Sequence, residues 1–473
     1  MDAPTTFPDA DTAPQPPRRG DLTSGPIRRT LLLFALPTLM GNVLQSLNAS
    51  INTVWIGRLL GEAALTATAN CNIVMFLVFA AVFGLSMATT VRVGQSFGAR
   101  NIDAARRSFG TGVGLCLIVS LVVALLGWAL APQLLALLRP PAESQVLALT
   151  YLRVIFLVIP GMTLTVMISM GMRGSGDART PLYFQILTAV LDVALNPLLI
   201  AGIGPFPQLG IAGAAVATAI ATSIGLGGMI GWIYWRDLPL RLRGRELRYL
   251  IPAREELRFI VGKGLPMGAQ MLVISGAGLI FIGLVNREGL VTAAAYGALL
   301  QIWNYIQMPS LAIGAAVSAM VAQHIGARRE DRVDRIGIDG AMVNLAMTGV
   351  LVALLLAFDT PALELFLGSG SPSVAVARHI QWLSIWSYLP FGVTIVLFGT
   401  LRAYGVVMTP IVVLLASMYA VRLGFYWLAY PAMGTDALWL SFVAGSAASL
   451  ALTLYAYRRG TWRKTMAARI QPI

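Results

Sequence analysis

One carboxyl group lies deep inside an apolar segment of this sequence. Asp192 lies near the middle of the run Tyr183–Ile203, whereas every other acidic residue lies in a tail, in a loop or at the edge of an apolar run. An ionisable side chain in the middle of a membrane is energetically costly, so such a residue is by default a functional-site hypothesis. Burial favours the neutral form of a carboxyl group, which would let it exchange a proton. We therefore predict that Asp192 binds a coupling ion, a proton or sodium.

Asp192 belongs to a polar stripe. Its members are three or four residues apart and so share one helical face: Gln185, Thr188, Asp192 and Asn196. The first apolar run carries a similar stripe, formed by Asn42, Gln45, Asn48 and Asn52. We expect the two stripes to face each other across a cavity. The alternative is that these amides and hydroxyls only hold helices together.

These stripes define two sets of candidate residues. The side chains expected to bind the ion together with Asp192 are Asn196, Asn52 and Thr218. Their oxygens would also suit sodium at Asp192, and no other metal is expected. The side chains expected to line a substrate cavity are Gln45, Asn48, Gln185 and Thr188 in the first half, and Gln301, Asn304, Tyr305 and Tyr388 in the second.

Arg422 is a second charge inside an apolar run. If it faces the cavity, it would repel cations or attract an anionic substrate, and we include it among the cavity residues. The alternative is a side chain that extends to the outer membrane interface.

The composition points to a membrane protein. Of 473 residues, 57% are hydrophobic and 12% are charged, against about 25% charged in soluble domains. This excludes an ordinary soluble enzyme and a disordered protein. The net charge of +13 is explained by basic loops against anionic lipid rather than by nucleic acid. Cys71 and Cys116 lie in apolar runs and are expected to be free.

Twelve apolar runs are long enough to span a membrane. They are Leu31–Ile56, Leu65–Val91, Gly110–Ala131, Val146–Gly171, Tyr183–Ile203, Ala212–Tyr234, Phe259–Val285, Val291–Gln323, Gly340–Phe358, Ala377–Leu401, Thr409–Tyr430 and Ala437–Tyr457. We predict an all-α membrane protein with a flexible cytoplasmic tail (1–30), a six-helix bundle (31–235), a cytoplasmic linker (236–258), a second six-helix bundle (259–457) and a cytoplasmic tail (458–473). Basic residues gather at one set of run ends, which predicts a multi-pass protein of the plasma (inner) membrane with both termini cytoplasmic.

The two halves repeat each other. The segment GQSFGARNIDAARR (94–107) matches AQHIGARREDRVDR (322–335), and Pro37 and Pro160 match Pro266 and Pro390, at offsets of 228 to 230. Six spans in each repeat give both halves the same direction, so the bundles are related by an axis along the membrane normal. Arg422 lies one position from the repeat equivalent of Asp192, position 421 at an offset of 229.

These motifs resemble the multidrug and toxic compound extrusion (MATE) family. The resemblance is carried by the proline-led first span (from Pro37), the two repeated loops, MRGSGDARTP (Met172–Pro181), NPLLIAG (Asn196–Gly202) and LGIAGAAVATAIA (Leu209–Ala221). It implies a V-shaped pair of bundles that exports hydrophobic, often cationic compounds against a proton or sodium gradient. No cofactor is implied beyond the coupling ion. The expected partners are small organic substrates and the lipid bilayer, without nucleic acid, and the expected state is a monomer.

The sequence departs from the family at the ion site. Many members carry acids where this chain has Asn52 and Asn196, and an asparagine where it has Asp192. Another branch uses acids in the seventh and tenth spans, where this chain has residues such as Ile274 and Ser275. A single displaced carboxyl favours a proton over sodium.

Three other classes of membrane protein offer alternative interpretations. A major-facilitator-type transporter also has twelve spans, but the loop after the second span lacks that class's Asp-Arg-x-Gly-Arg cluster. A flippase or exporter of a lipid-linked or other specific metabolite on the same fold stays open. A membrane enzyme is not expected, because the sequence has no phosphate loop, His-Glu-x-x-His pattern or nucleophile constellation.

Overall fold

The computed structural model describes residues 20–138, 141–460 and 462–463. In these residues the regular structure is helical, with short 3₁₀ and π segments between α-helices. The α-helices of the first half are α1 (Ile27–Leu60), α2 (Glu62–Gly98), α3 (Ile102–Leu138), α4 (Ala142–Gly174), α5 (Arg179–Ala201) and α6 (Ile211–Trp235). Those of the second half are α7 (Arg254–Arg287), α8 (Leu290–Gly326), α9 (Val333–Ala357), α10 (Asp359–Leu367), α11 (Pro372–Ser384), α12 (Tyr388–Ala403), α13 (Met408–Leu415), α14 (Arg422–Met433) and α15 (Asp436–Arg459).

The expected twelve membrane spans are confirmed, since 12 helical segments of the described chain are long and apolar enough to cross a bilayer. Most helices run several residues beyond the apolar runs, because a helix continues through polar residues until a turn ends it. Two spans are interrupted. A 3₁₀ turn over Ile385–Ser387 joins α11 to α12, and a π-helical turn over Ala416–Val421 joins α13 to α14.

Each half packs around its own apolar core. In the first bundle, Cys71, Leu135, Leu152 and Phe156 belong to one buried cluster. Cys71 and Cys116 are buried and free. In the second bundle the corresponding cluster is richer in aromatic side chains and includes Phe281, Tyr296, Trp303 and Trp439. Burying such large side chains gives each bundle its own source of stability.

The two bundles meet at the end of the molecule where α1 begins and α2 and α8 finish, which we call the basic end. Small residues let the helices approach closely there. A Cβ atom on Gly84 would meet the backbone of Gly264 and Gly268 in α7. Likewise, a Cβ on Gly98 would meet the carbonyl of Gln323, and a Cβ on Gly326 would meet the carbonyl of Gln95.

The ends of the chain differ in part from the expectation of free tails. Residues 1–19, 461 and 464–473 of the two predicted tails, and Arg139 and Pro140, lie outside the described residues. Helix α1 already begins at Ile27, and the preceding segment is bound to the second bundle. Leu22 N–H donates to Gln323 Oε1 at 2.9 Å, and Arg332 donates to the carbonyls of Thr23 and Gly25 at 2.9 and 2.8 Å. These backbone groups find partners on the second bundle, which fixes the segment.

The connection between the bundles is shorter than expected, because α7 begins at Arg254. A 3₁₀ helix over Gly244–Leu250 lies within it and packs on α3. Tyr249 donates its hydroxyl hydrogen to Asp103 at 2.6 Å, and Arg106 pairs with Glu246. The connection is therefore attached to the first bundle.

Candidate functional site

Asp192 lies in α5 and is only 2% exposed. Both of its carboxylate oxygens accept two hydrogen bonds. Asn48 and Asn52 of α1 donate through Nδ2 to Oδ2 at 2.8 and 2.6 Å. Asn196 Nδ2 and Thr218 Oγ1 donate to Oδ1 at 3.2 and 3.0 Å. The side chain is thus held by three helices, and the arrangement suits the ionised carboxylate, which only accepts hydrogen bonds.

The sequence places these donors by simple helical spacing. Asn48 and Asn52 are four residues apart, so their side chains lie one above the other on the face of α1 that meets α5. Asn196 is one turn beyond Asp192, and its Nδ2 also donates to the Asp192 carbonyl at 2.8 Å. Thr218 reaches the carboxylate because α6 packs tightly on α5, where a Cβ on Gly213 would meet the carbonyl of Leu199.

Two buried amide oxygens at the site have no hydrogen-bond partner among the described residues. They are Asn48 Oδ1 and Asn196 Oδ1. An unmade hydrogen bond on a buried acceptor costs about 1–3 kcal/mol. These oxygens are therefore available to a hydrogen-bond donor, such as a protonated carboxyl, or to a cation.

The structure brings Asp192, Asn196, Asn52 and Thr218 together as one hydrogen-bonded cluster, and ion binding by these residues stays a prediction. Asn48 was assigned to the substrate cavity, yet it donates directly to Asp192. Its spacing of four from Asn52 was the signal for this contact. The other first-bundle cavity residues lie apart from the carboxylate. Gln185 packs against Gly41 and Thr188 against Gly225, while Gln45 is exposed.

The cavity residues predicted in the second bundle differ in their exposure. Gln301 and Asn304 are exposed, Tyr305 is half-buried, and the ring of Tyr388 lies 5.8 Å from that of Trp303. Among the described residues, no hydrogen bonds join these side chains into a cluster like that around Asp192.

Arg422 lies in the aromatic core of the second bundle rather than at the surface. It is 8% exposed, and its guanidinium carbon lies 3.5 Å from the ring centre of Phe281 and 3.3 Å from that of Phe442. A desolvated cation over an aromatic face gains about 2 kcal/mol. Its Nε and Nη2 atoms are buried and have no hydrogen-bond partner. The sequence could not identify the two rings, since they belong to different helices.

The π-helical turn accounts for the position of Arg422. Pro181 and Pro410 match at an offset of 229, and the π turn Ala416–Val421 then inserts one residue into the helix. Beyond the turn the offset becomes 230, which makes Arg422 the equivalent of Asp192. At the offset of 229 shared by Pro37 and Pro266, Phe281 is the equivalent of Asn52. The two bundles therefore carry opposite charges at matching positions.

Known proteins agree with this architecture. The MatE family profile matches residues 37–198 and 266–428, one segment in each bundle. "Probable multidrug resistance protein YoeA" of Bacillus subtilis is 31% identical over 93% of this chain and 96% of its own length. A "FAD transporter" of Shewanella oneidensis is 26% identical over 86% of this chain and 88% of its own length.

A solved structure shares the fold. It is described as the outward-facing conformation of a multidrug resistance MATE family transporter, and it superposes with a TM-score of 0.87 at 20% identity, covering 95% of this chain and all of that one. The family match excludes the major-facilitator reading. The chain therefore belongs to the MatE family of multi-pass membrane transporters.

Proposed function

We propose that this protein is a secondary antiporter that exports hydrophobic, mostly cationic organic compounds in exchange for an ion bound at Asp192. The observation that carries the proposal is the buried carboxylate of Asp192, which has four hydrogen-bond donors from α1, α5 and α6. Among the described residues, the other buried carboxylates pair with arginines, whereas Asp192 has no ion pair. We expect the protein to lie in the inner membrane, with its basic end on the cytoplasmic side.

The coupling ion that this arrangement favours is a proton. The amide groups of Asn48 and Asn52 direct N–H groups at the carboxylate, whereas sodium would need their oxygens. Protonation would turn one carboxylate oxygen into a donor that faces another donor. Rotation of the Asn48 amide would relieve this, because its Oδ1 has no partner in the present arrangement.

Such a rotation would change the packing of α1 against α5. Asn48 and Asn52 hold α1 to Asp192 on one side, and Thr218 holds α6 on the other. Neutralising the carboxylate weakens charge-assisted hydrogen bonds, which are about twice as strong as neutral ones. We expect this change in the packing of α1, α5 and α6 to alter the shape of the substrate site and release the substrate.

The test is efflux of ethidium from proteoliposomes that hold the purified protein. An imposed proton gradient should drive efflux, and a sodium gradient at constant pH should not. Equal efflux with and without either gradient would contradict ion coupling. Empty liposomes and liposomes with a proton ionophore control for passive leakage.

Export of a specific metabolite on the same fold is the second candidate. It is favoured by the relative named "FAD transporter", which aligns over 86% of this chain. A panel that compares ethidium with FAD in the same proteoliposomes separates the two. Transport of FAD without transport of ethidium would replace the first proposal.

A further inference from the structure

We infer that Arg422 binds an oxyanion of the transported substrate, a carboxylate or a phosphate group, inside the second bundle. The inference rests on the proposed transport function, because it assigns part of the substrate. It does not depend on which ion binds at Asp192. It adds an anion-binding position to a site whose expected substrates are cationic.

Two aromatic rings hold the guanidinium of Arg422 in place. The ring centres of Phe281 and Phe442 lie 3.5 and 3.3 Å from its central carbon. The two ring planes are inclined at 67° and their centres are 5.2 Å apart, so the rings pack on adjacent sides of the group. A ligand that accepts hydrogen bonds must approach Arg422 in the plane of its N–H groups.

The two unpartnered nitrogens lie on the same edge of that plane. Nε and Nη2 have no hydrogen-bond partner in the described part of the chain and are buried from solvent. This edge presents two parallel N–H groups at the spacing of the two oxygens of a carboxylate or phosphate. The geometry therefore points to a ligand that accepts both hydrogen bonds at once.

The described residues do not supply a counter-ion to Arg422. Among the described residues, the titratable groups that interact with Arg422 are the phenols of Tyr296 and Tyr388, with no carboxylate. A buried charge is ordinarily paired with an opposite one. Arg422 lacks such a partner, and a substrate oxyanion would provide it.

The surroundings also indicate the shape of the ligand. Tyr296 and Tyr388 flank Trp303, with ring centres 6.1 and 5.8 Å from it, and Trp303 Nε1 is a further buried donor without a partner. Rings packed around a few buried donors favour a planar aromatic acid over a compact inorganic anion. We therefore expect an aromatic carboxylate to bind better than inorganic phosphate.

The repeat gives an independent reason for a binding role. Arg422 occupies the position that Asp192 has in the first bundle, and the π-helical turn Ala416–Val421 brings it there. Such turns occur often at functional sites. The first bundle would thus bind the coupling cation and the second the anionic part of the substrate.

Equilibrium binding to the full chain in phosphatidylcholine nanodiscs tests this inference. The probe is carboxyfluorescein, followed by fluorescence polarisation, with benzoate and inorganic phosphate as competitors. The variants are Arg422→Gln, which removes the charge, and Arg422→Lys, which keeps the charge but not the two-nitrogen edge. Arg153→Gln is the matched control, because Arg153 is an exposed arginine that also stacks on an aromatic ring, Trp128, at 5.3 Å.

We expect carboxyfluorescein binding to weaken about 100-fold in Arg422→Gln and about tenfold in Arg422→Lys. Arg153→Gln should bind like the parent protein, and benzoate should displace the dye. If Arg422→Gln does not yield a monodisperse protein, Arg422→Lys decides the matter. Binding in Arg422→Lys equal to that of the parent would overturn the assigned geometry.

Two further outcomes would also overturn the inference. One is a parent protein that does not bind carboxyfluorescein or binds it no better than Arg422→Gln. The other is loss of dye binding in nanodiscs that contain phosphatidylglycerol, which would assign the site to a lipid headgroup. Because the assay uses no gradient, failure of ion-coupled transport would leave its result unaffected.

Discussion

Gln95 and Gln323 join the two bundles through reciprocal hydrogen bonds. Gln95 Nε2 donates to the carbonyl of Ala403 at 2.8 Å, and Gln323 Nε2 donates to the carbonyl of Gly174 at 3.1 Å. Gly174 ends α4 and Ala403 ends α12, and the two match at an offset of 229. Each glutamine therefore supplies a helix-end carbonyl of the other bundle with the donor that it lacks within its helix.

The two glutamines should differ in their contribution to stability. Gln323 also accepts from Leu22 N–H at 2.9 Å and donates to the Gly20 carbonyl at 3.3 Å, whereas the hydrogen bond described for the Gln95 side chain is the one to Ala403. We predict that Gln323→Leu lowers the free energy of unfolding by about 2–3 kcal/mol and Gln95→Leu by about 1 kcal/mol. Thermal unfolding in detergent measures both. A larger loss in Gln95→Leu would contradict this assignment.

A disulfide across the same contact should stop transport. A Cβ atom built on Gly94 would lie 3.0 Å from Cβ of Ala322 in the other bundle. A disulfide needs about 3.5–4.5 Å between these atoms, so the two helices must move slightly apart to form it. We predict that Gly94→Cys with Ala322→Cys, made with Cys71→Ala and Cys116→Ala, forms a cross-link that abolishes ethidium efflux. Reduction with dithiothreitol should restore efflux, because the proposed alternating-access mechanism requires the bundles to separate there.

The single-cysteine variants are the controls for this cross-link. Each should transport at a similar rate with or without oxidant. Undiminished efflux in the oxidised double variant would show that the basic end does not open during transport.

The carboxyl group of Asp192 and the amide group of Asn52 should tolerate an exchange of position. Asn52 Nδ2 and Asp192 Oδ2 are 2.6 Å apart, so exchanging the two residues keeps one carboxylate and one amide in contact. We predict that Asn52→Asp and Asp192→Asn each reduce efflux about tenfold or more, since the first puts two carboxyl groups in contact and the second leaves this contact without a carboxyl group. The double variant should recover a measurable part of this loss. A double variant no better than either single would show that Asp192 itself is required.

The spans and the polar cluster could be predicted from the sequence because both depend on local spacing. A run of apolar residues determines a membrane helix, and intervals of three or four residues place Asn196 with Asp192 on one face. The repeat likewise indicated that Gln95 and Gln323 are equivalent. It did not show that each would bind the opposite bundle, since this depends on how the two bundles pack.

The position of Arg422 shows where the sequence was insufficient. The offset of 229 placed it one residue from the equivalent of Asp192, and the π-helical turn that corrects this register has no clear signal in ASMYAV (416–421). Its contact with Phe281 joins residues more than a hundred positions apart, and Phe442 lies on another helix, α15. The fixed segment around Leu22 was missed for the same reason, because its partner Gln323 is distant in the chain.

Proton movement tests most directly whether Asp192 carries the coupling ion. The measurement is the change of internal pH in proteoliposomes when ethidium is added, reported by an enclosed pH-sensitive dye. We predict substrate-dependent proton flux in the parent protein and none above the empty-liposome level in Asp192→Asn. Full substrate-dependent proton flux in Asp192→Asn would contradict a role of this residue in ion coupling.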